Sequence, residues 1–273
     1  PSDIFSLSDY INMKQYGSAP KFYGNYYSAP LTEVKKVIAG YNKINGKYEP
    51  YYHPEYSYNS QFETIFPRMY SSDPEHASAY KYWGRVVGRK FSVGSDKEAL
   101  VIPTFGENLR YFFRYQVGFM YMRYFMWNFA GRQNDIQGNG NSIDGNWISG
   151  IKFIDEARLG KLDKLPKDLK TNPGNNKYYF LPLLIGLAGM YWQYKRNKNG
   201  FWLVMTFFIM TGLAIIFYLN QYPNQPRERD YAYVGSFYAF AIWIGIGFMF
   251  VYENLQKVLG NKGSLAVTFV VLM

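Results

Sequence analysis

The sequence has no cysteine and only two histidines. Without cysteine there is neither a disulfide framework nor a thiolate metal site, and the redox compartment stays open. His53 and His76 lie far apart among Pro-containing loops, without ligand spacing, so a zinc site is not expected. No Gly-x-x-x-x-Gly-Lys-Ser/Thr and no Gly-x-Ser-x-Gly occurs, which removes motif support for a nucleotide triphosphatase or a serine hydrolase.

Acidic residues are also scarce, 20 against 30 Lys and Arg, giving a net charge of +10. Such an excess calls for an anionic partner. A nucleic-acid binder would cluster its basic residues on a soluble fold. Here they are scattered and the last third is apolar, so lipid phosphate is favoured and no nucleic-acid partner is expected. Tyrosine is abundant, 28 residues. Its amphipathic ring suits a membrane interface and a sugar-stacking surface equally.

The slightly negative mean hydropathy averages two unlike parts. Residues 1–177 are polar and Tyr-rich, with turn signals at Ala19-Pro20, Ala29-Pro30, Asn45-Gly46, His53-Pro54 and Asp73-Pro74. Short helices are expected at Asp3 to Gln15, Ser78 to Val87 and Trp147 to Leu159, and strands at Val34 to Tyr41 and Lys47 to Tyr52. Thr104-Phe-Gly-Glu107 has the spacing of a capping box, which opens an aromatic helix over about 105–129. Arg110, Arg114 and Arg123 are each costly at a bilayer centre. That helix should therefore lie at the interface, its arginines snorkelling toward head groups.

From residue 178 onward the apolar runs approach the roughly 17–25 residues of a spanning helix. Transmembrane helices are expected at about 178–194, 201–218 and 237–252, with a truncated one from 265. Gly186, Gly189, Gly212, Ala214, Gly245 and Gly247 would let them pack closely. The connection Lys195-Arg-Asn-Lys-Asn-Gly200 is basic and so is assigned to the cytoplasm. Residues 1–177 and the 220–236 loop then share the opposite side. The start at Pro1 and the end inside the apolar run Leu265 to Met273 suggest a piece of a longer membrane protein.

Two polar constellations could carry chemistry. Arg227-Glu228-Arg229-Asp230 follows Pro223 and Pro226 and precedes Tyr231 and Tyr233, at a membrane surface. Arg227 and Arg229 suit a phosphate-bearing lipid, since guanidinium groups bind phosphate oxygens bidentately. Glu228, Asp230, Tyr231 and Tyr233 would support them, although an internal Arg/acid network fixing the loop fits equally well. Arg132, Gln133, Asn134 and Asp135 offer hydrogen bonds suited to hydroxyl-rich ligands. Asp135 could be a base, but turn chemistry explains an Asn/Asp/Gly-rich loop as readily. An EF-hand reading of that loop fails because Asn146 stands where the bidentate Glu is required. Asp144, Asp155 and Glu156 are further acids to which the sequence assigns no partner.

Met122-Arg-Tyr-Phe-Met-Trp-Asn-Phe-Ala-Gly-Arg-Gln-Asn-Asp-Ile-Gln-Gly138 and Tyr218-Leu-Asn-Gln-Tyr-Pro-Asn-Gln-Pro-Arg-Glu-Arg-Asp-Tyr-Ala-Tyr-Val-Gly-Ser-Phe-Tyr-Ala-Phe240 resemble glycosyltransferase family 117, typical of Bacteroidota. The stretches Asp3 to Gly17 and Tyr23 to Ala29 resemble it too. The resemblance implies a multi-pass, α-helical GT-C-like membrane protein with a mixed, loop-rich extracytoplasmic region, related to transmembrane protein O-mannosyltransferases. It further implies the bacterial inner membrane, with residues 1–177 and the 220–236 loop periplasmic. The implied reaction moves a sugar, mannose in the related enzymes, from a polyprenyl-phosphate donor to Ser or Thr of an exported protein acceptor. GT-C enzymes carry their catalytic acid in the first extracytoplasmic loop, and no residue here matches that position. No cofactor is expected, and a divalent metal stays open. The competing expectation is a non-catalytic scaffold subunit of a membrane assembly. A transporter would show ionisable residues at mid-membrane, which these runs lack.

Overall fold

The computed structural model describes residues 4–11, 19–44, 46–92, 99–224 and 229–272. They pack as two compact units, residues 1–115 with 219–224, and residues 116–218 with 225–273.

The first unit contains α1 (Ile4–Ile11), β1 (Tyr23–Asn25), β2 (Leu31–Ile44), β3 (Lys47–Tyr58), β4 (Glu63–Ile65), α2 (Pro74–Gly84), β5 (Arg89–Phe91), β6 (Leu100–Ile102) and α3 (Phe105–Tyr111). The strands form three antiparallel pairs, β1–β4, β2–β3 and β5–β6. The two expected strands are the long ribbon β2–β3, whose β-branched and aromatic residues favour extended backbone. Gly46, at φ 80°, supplies the left-handed conformation its turn requires; Asn45 lies outside the described residues. Helix α2 starts earlier than expected because Asp73 caps it, accepting from Glu75 N at 2.9 Å, with Pro74 in the first turn.

The core of this unit is largely aromatic, with Phe62, Tyr80 and Tyr111 fully buried. Tyr80 and Tyr111 meet edge to face at 4.9 Å, and Tyr111 stacks on Tyr115 at 5.3 Å. Asn108 ties the Phe66–Arg68 turn to α3, its Oδ1 accepting from Arg68 N at 2.9 Å and its Nδ2 donating to Phe66 O at 2.8 Å. Residues 219–224 belong to this core. Asn220 Nδ2 donates to the carbonyls of Pro20 and Pro67, and Tyr111 Oη donates to Gln221 O.

The predicted capping box is present at α3. Thr104 Oγ1 accepts from Glu107 N, and Glu107 Oε2 accepts from Thr104 N. Helical geometry continues through a π-helical stretch, Phe112–Met122, into α4 (Arg123–Phe129). The arginines of this helix reach protein carbonyls. Arg110 donates to Gly84 O and Arg114 to Trp83 O, satisfying carbonyls at the C-terminal end of α2 that have no intrahelical partner. Arg123 is 4% exposed and donates to Gly145 O and Phe119 O.

The second unit continues with β7 (Gly131–Arg132), α5 (Lys152–Leu159), α6 (Lys167–Lys170), β8 (Asn176–Lys177), α7 (Leu181–Arg196), α8 (Lys198–Thr211), α9 (Leu213–Leu219) and α10 (Val234–Leu272). Among the described residues two stretches are long and apolar enough to cross a membrane, Lys198–Leu219 and Asp230–Gly260. The expected span at 178–194 is instead the 16-residue α7. At 1.5 Å per residue it reaches about 24 Å, short of a hydrocarbon core of about 30 Å. The expected helix at 265 is continuous with α10, interrupted only by non-helical backbone at Gly260.

Helices α7 and α10 meet backbone to backbone. A Cβ at Gly189 would collide with Trp243 O, and one at Gly247 with Ile185 O. These glycines permit the approach, as expected, but Gly245 faces open space. An aromatic cluster fills the remaining volume. Phe240 contacts Phe125 at 4.9 Å and Phe129 at 4.6 Å, and Trp243 lies 5.8 Å from Phe208.

Candidate functional site

The first constellation straddles the entry to α10. Arg227 and Glu228 lie outside the described residues. Arg229 is half-buried, and its Nε is buried with no hydrogen-bond partner among the described residues. It precedes a short 3-10 turn, Asp230–Tyr233, in which Asp230 Oδ1 accepts from Tyr231 N at 2.9 Å. Among the described residues neither Arg229 nor Asp230 forms an ion pair. Tyr231 is 58% exposed, whereas Tyr233 is buried. Tyr233 meets Tyr121 edge to face at 5.4 Å, and Tyr121 Oη donates to Ser236 Oγ at 3.2 Å. Tyr233 is thus packed into the second unit, while Tyr231 and Asp230 face water.

The second constellation, Arg132–Asp135, opens the loop after α4. A close backbone approach sets its start. Gly131, at φ 141°, leaves no room for a Cβ between the carbonyls of Asn176 and Ile148. Asn134 is fully buried, its Nδ2 donating to Ile143 O and its Oδ1 accepting from Gly145 N at 2.8 Å and Ile136 N at 3.3 Å. Gln133 donates to Ser142 O and accepts from Asn146 Nδ2. Arg132 Nε donates to Gly174 O, with its guanidinium 5.4 Å from the Trp127 ring. The side-chain amides of Gln133 and Asn134 and the Arg132 Nε are therefore committed to holding the loop on its neighbours. Asp135 alone of the four is exposed. No hydrogen bond or ion pair joins Arg229 to Arg132–Asp135 among the described residues.

The acids without assigned partners also have places. Asp155 is 2% exposed, Oδ1 accepting from Ser149 N and Oγ and Oδ2 from Gly150 N, an arrangement that fixes the approach to α5. Asp144 accepts from Asn141 Nδ2, and Glu156 lies 3.9 Å from Lys152. Among the described residues no three His, Asp or Glu side chains gather as a metal site would need.

The first unit holds a polar cleft that sequence reasoning did not single out. Two adjoining depressions of about 430 and 350 Å³ share Gln61, Arg89 and Ile102. Tyr26, Glu63, Thr64, Thr104 and Phe105 also line the smaller. Glu63 Oε2 accepts from Tyr23 Oη at 2.8 Å, and Tyr26 Oη donates to Thr64 Oγ1 at 3.3 Å. Residues from four separate stretches converge there, and no local motif marks such convergence.

Buried deeper is Arg68, fully enclosed, with its guanidinium 3.7 Å from the Phe66 ring and its Nη2 donating to Lys21 O. Burial lowers its pKa to about 10, against a smaller opposing effect from Tyr111 and Tyr70. Its sequence signal, an Arg between Pro67 and Met69, is too plain to have been found.

Residues 17–113 match a family of unknown function (DUF8416), a stretch lying within the first unit. No curated protein and no solved structure matches the chain.

Proposed function

We propose that this chain is part of a membrane glycosyltransferase that moves a sugar, mannose by the family resemblance, from a polyprenyl-phosphate carrier to Ser or Thr of exported proteins. Arg229 grips the carrier phosphate, with Arg227 as a second donor. The observation that carries this reading is the buried Arg229 Nε, without a hydrogen-bond partner among the described residues and directly before the apolar stretch Asp230–Gly260. A buried donor left unpaired costs about 1–3 kcal/mol, more for a charged group. A phosphate oxygen would satisfy it, while the lipid tail lies along apolar helix surface. In the reaction the guanidinium stabilises the negative charge gathering on the departing phosphate. The family motifs at Met122 to Gly138 and Tyr218 to Phe240 support the reaction class, an inner-membrane location and a periplasmic site.

The test uses the intact protein in membranes with a polyprenyl-phosphate-linked radiolabelled sugar and a Ser/Thr-bearing acceptor. Arg229→Ala should lower transfer about 100-fold or more, the range for losing one charge-stabilising donor, with Arg229→Lys intermediate. Thermal stability should remain within about 1 kcal/mol of the parent, as for a substitution outside the packed core. Undiminished transfer by the Arg227→Ala/Arg229→Ala double variant would remove the arginines from the mechanism.

A further inference from the structure

The β2–β3 ribbon is two-sided in its chemistry. Its register pairs Val34 with Tyr56, Lys36 with Pro54, Ile38 with Tyr52, Tyr41 with Pro50 and Lys43 with Tyr48. On β3 these partners alternate, so Tyr48, Pro50, Tyr52, Pro54 and Tyr56 all point to one face. The irregularity between Ile38 and Gly40 keeps β2 in step, placing Val34, Lys36, Ile38, Tyr41 and Lys43 on that same face. The opposite face carries Glu33, Lys35, Lys47, Glu49, His53 and Glu55 beside Val37, Ile44 and Tyr51, with Lys35 and Glu33 paired at 3.1 Å. All three glutamates of the ribbon are thus on one side. The other side has two lysines, no acid, and a run of aromatic, aliphatic and proline residues.

Among the described residues that apolar face is covered only near the turn. Phe5 of α1 packs on Tyr41 and Tyr48, at 5.4 and 5.1 Å, covering the end near the turn. Beyond it Val34 is 55% exposed, Ile38 53%, Tyr52 59% and Tyr56 49%. Ile4, Leu7, Tyr10 and Ile11 of α1 are exposed as well. A two-stranded ribbon is marginal in water by itself and needs its apolar side covered.

We propose that this face, with the adjoining α1, docks on an anionic lipid surface. Charge argues for that occupant. Two copies meeting through this face about a two-fold axis would bring like-charged lysines together, without an acid to pair them. Acidic head groups complement Lys36 and Lys43. Tyrosines at half-exposure place an apolar ring in the acyl boundary and a hydroxyl among head groups. The chain's two candidate membrane spans keep a bilayer within reach, so a modest surface affinity suffices. The inference stands without the glycosyltransferase reading.

The cysteine-free sequence makes the test direct. Single-cysteine variants of the full chain, Ile38→Cys and Tyr52→Cys on the apolar face and Lys35→Cys and Glu55→Cys on the other, are labelled with an environment-sensitive fluorophore. They are then placed in nanodiscs of phosphatidylcholine alone or mixed with phosphatidylglycerol. In the anionic discs the Ile38 and Tyr52 labels should shift to the blue, be quenched by lipid-borne quencher, and lose aqueous iodide quenching several-fold. The Lys35 and Glu55 labels should stay open to iodide. Lys36→Glu/Lys43→Glu should abolish the difference between the two lipid compositions. Equal iodide access on both faces in anionic discs would overturn the proposal. So would protection of Ile38 and Tyr52 that is as strong in phosphatidylcholine discs and unchanged by Lys36→Glu/Lys43→Glu, since neither head-group charge nor lysine charge would then matter.

Discussion

The indole N–H of Trp243 donates to Gln193 Oε1 at 2.7 Å, pairing two buried polar groups across α7 and α10. Nearly three turns further along α10, Glu253 Oε2 accepts from Trp192 Nε1 at 3.1 Å and Arg196 Nη2 at 2.8 Å. Glycine contacts bring the backbones together and these bonds fix their register. This explains how a helix too short to cross a bilayer alone holds its place beside a longer one.

Gln193→Leu should therefore destabilise the second unit by about 1–3 kcal/mol, the cost of leaving a buried donor unpaired. Trp243→Phe would strand the amide instead and also lose packing. Removing both partners should cost less than the sum of the single changes, a coupling that thermal unfolding of the purified protein in detergent can measure.

Gly189→Ala forces a methyl group onto the Trp243 carbonyl. Separation of α7 from α10 should cost about 1–3 kcal/mol, as overpacking does, and weaken the Trp243–Gln193 bond. Gly245→Ala meets no atom within 4 Å and should be neutral or mildly stabilising, because alanine is the better helix former. A lower melting temperature for both variants would contradict the contact geometry.

The parts legible in the sequence are those whose signal is local. Thr104 and Glu107 declare a helix start by spacing alone, and the ribbon follows from its residue types and an Asn-Gly turn. Arg110 and Arg114 show where that legibility stops. A cation on an aromatic helix looks the same in sequence whether it meets a lipid phosphate or the carbonyls of Trp83 and Gly84, which are distant in the chain. Asn220 is a similar case. Its motif reads as part of a charged surface loop, yet its side chain closes onto Pro20 and Pro67, far away in sequence. For the candidate site, residue type suggested hydrogen bonding at Gln133 and Asn134 but not that the loop itself would consume it.

Glu107 predicts a pH dependence for the first unit. Burial alone would raise its pKa, but the N–H groups of Thr104, Val87 and Gly88 and the Thr104 side chain stabilise the carboxylate, and the net shift is downward. A carboxyl whose folded pKa lies below its unfolded value of about 4.3 contributes fully above that value. The contribution fades as pH falls through the folded pKa. Glu107→Gln should remove this part of the acid limb in a melting series from pH 7 to pH 3. It should also lower stability at pH 7 by about 1 kcal/mol, as loss of a cap does.

Asn134 and Asp135 are adjacent, and the structure predicts opposite consequences for them. Asn134→Ala removes three hydrogen bonds from a fully buried side chain and leaves Gly145 N and Ile143 O without their partner. Each orphaned group costs about 1–3 kcal/mol, so the loop should loosen and the second unit should melt earlier. Asp135→Ala changes an exposed side chain and should leave the melting temperature within about 0.5 kcal/mol of the parent. If the loop contacts sugar or acceptor, Asp135 is the member still free to do so, and Asp135→Ala should lower transfer at unchanged stability. Hydrogen-exchange protection of residues 141–146, measured beside transfer, separates the cases. Lost protection with Asn134→Ala marks a structural residue, and lost transfer with intact protection for Asp135→Ala marks a ligand contact. Intact protection after Asn134→Ala would show that the loop does not depend on that amide.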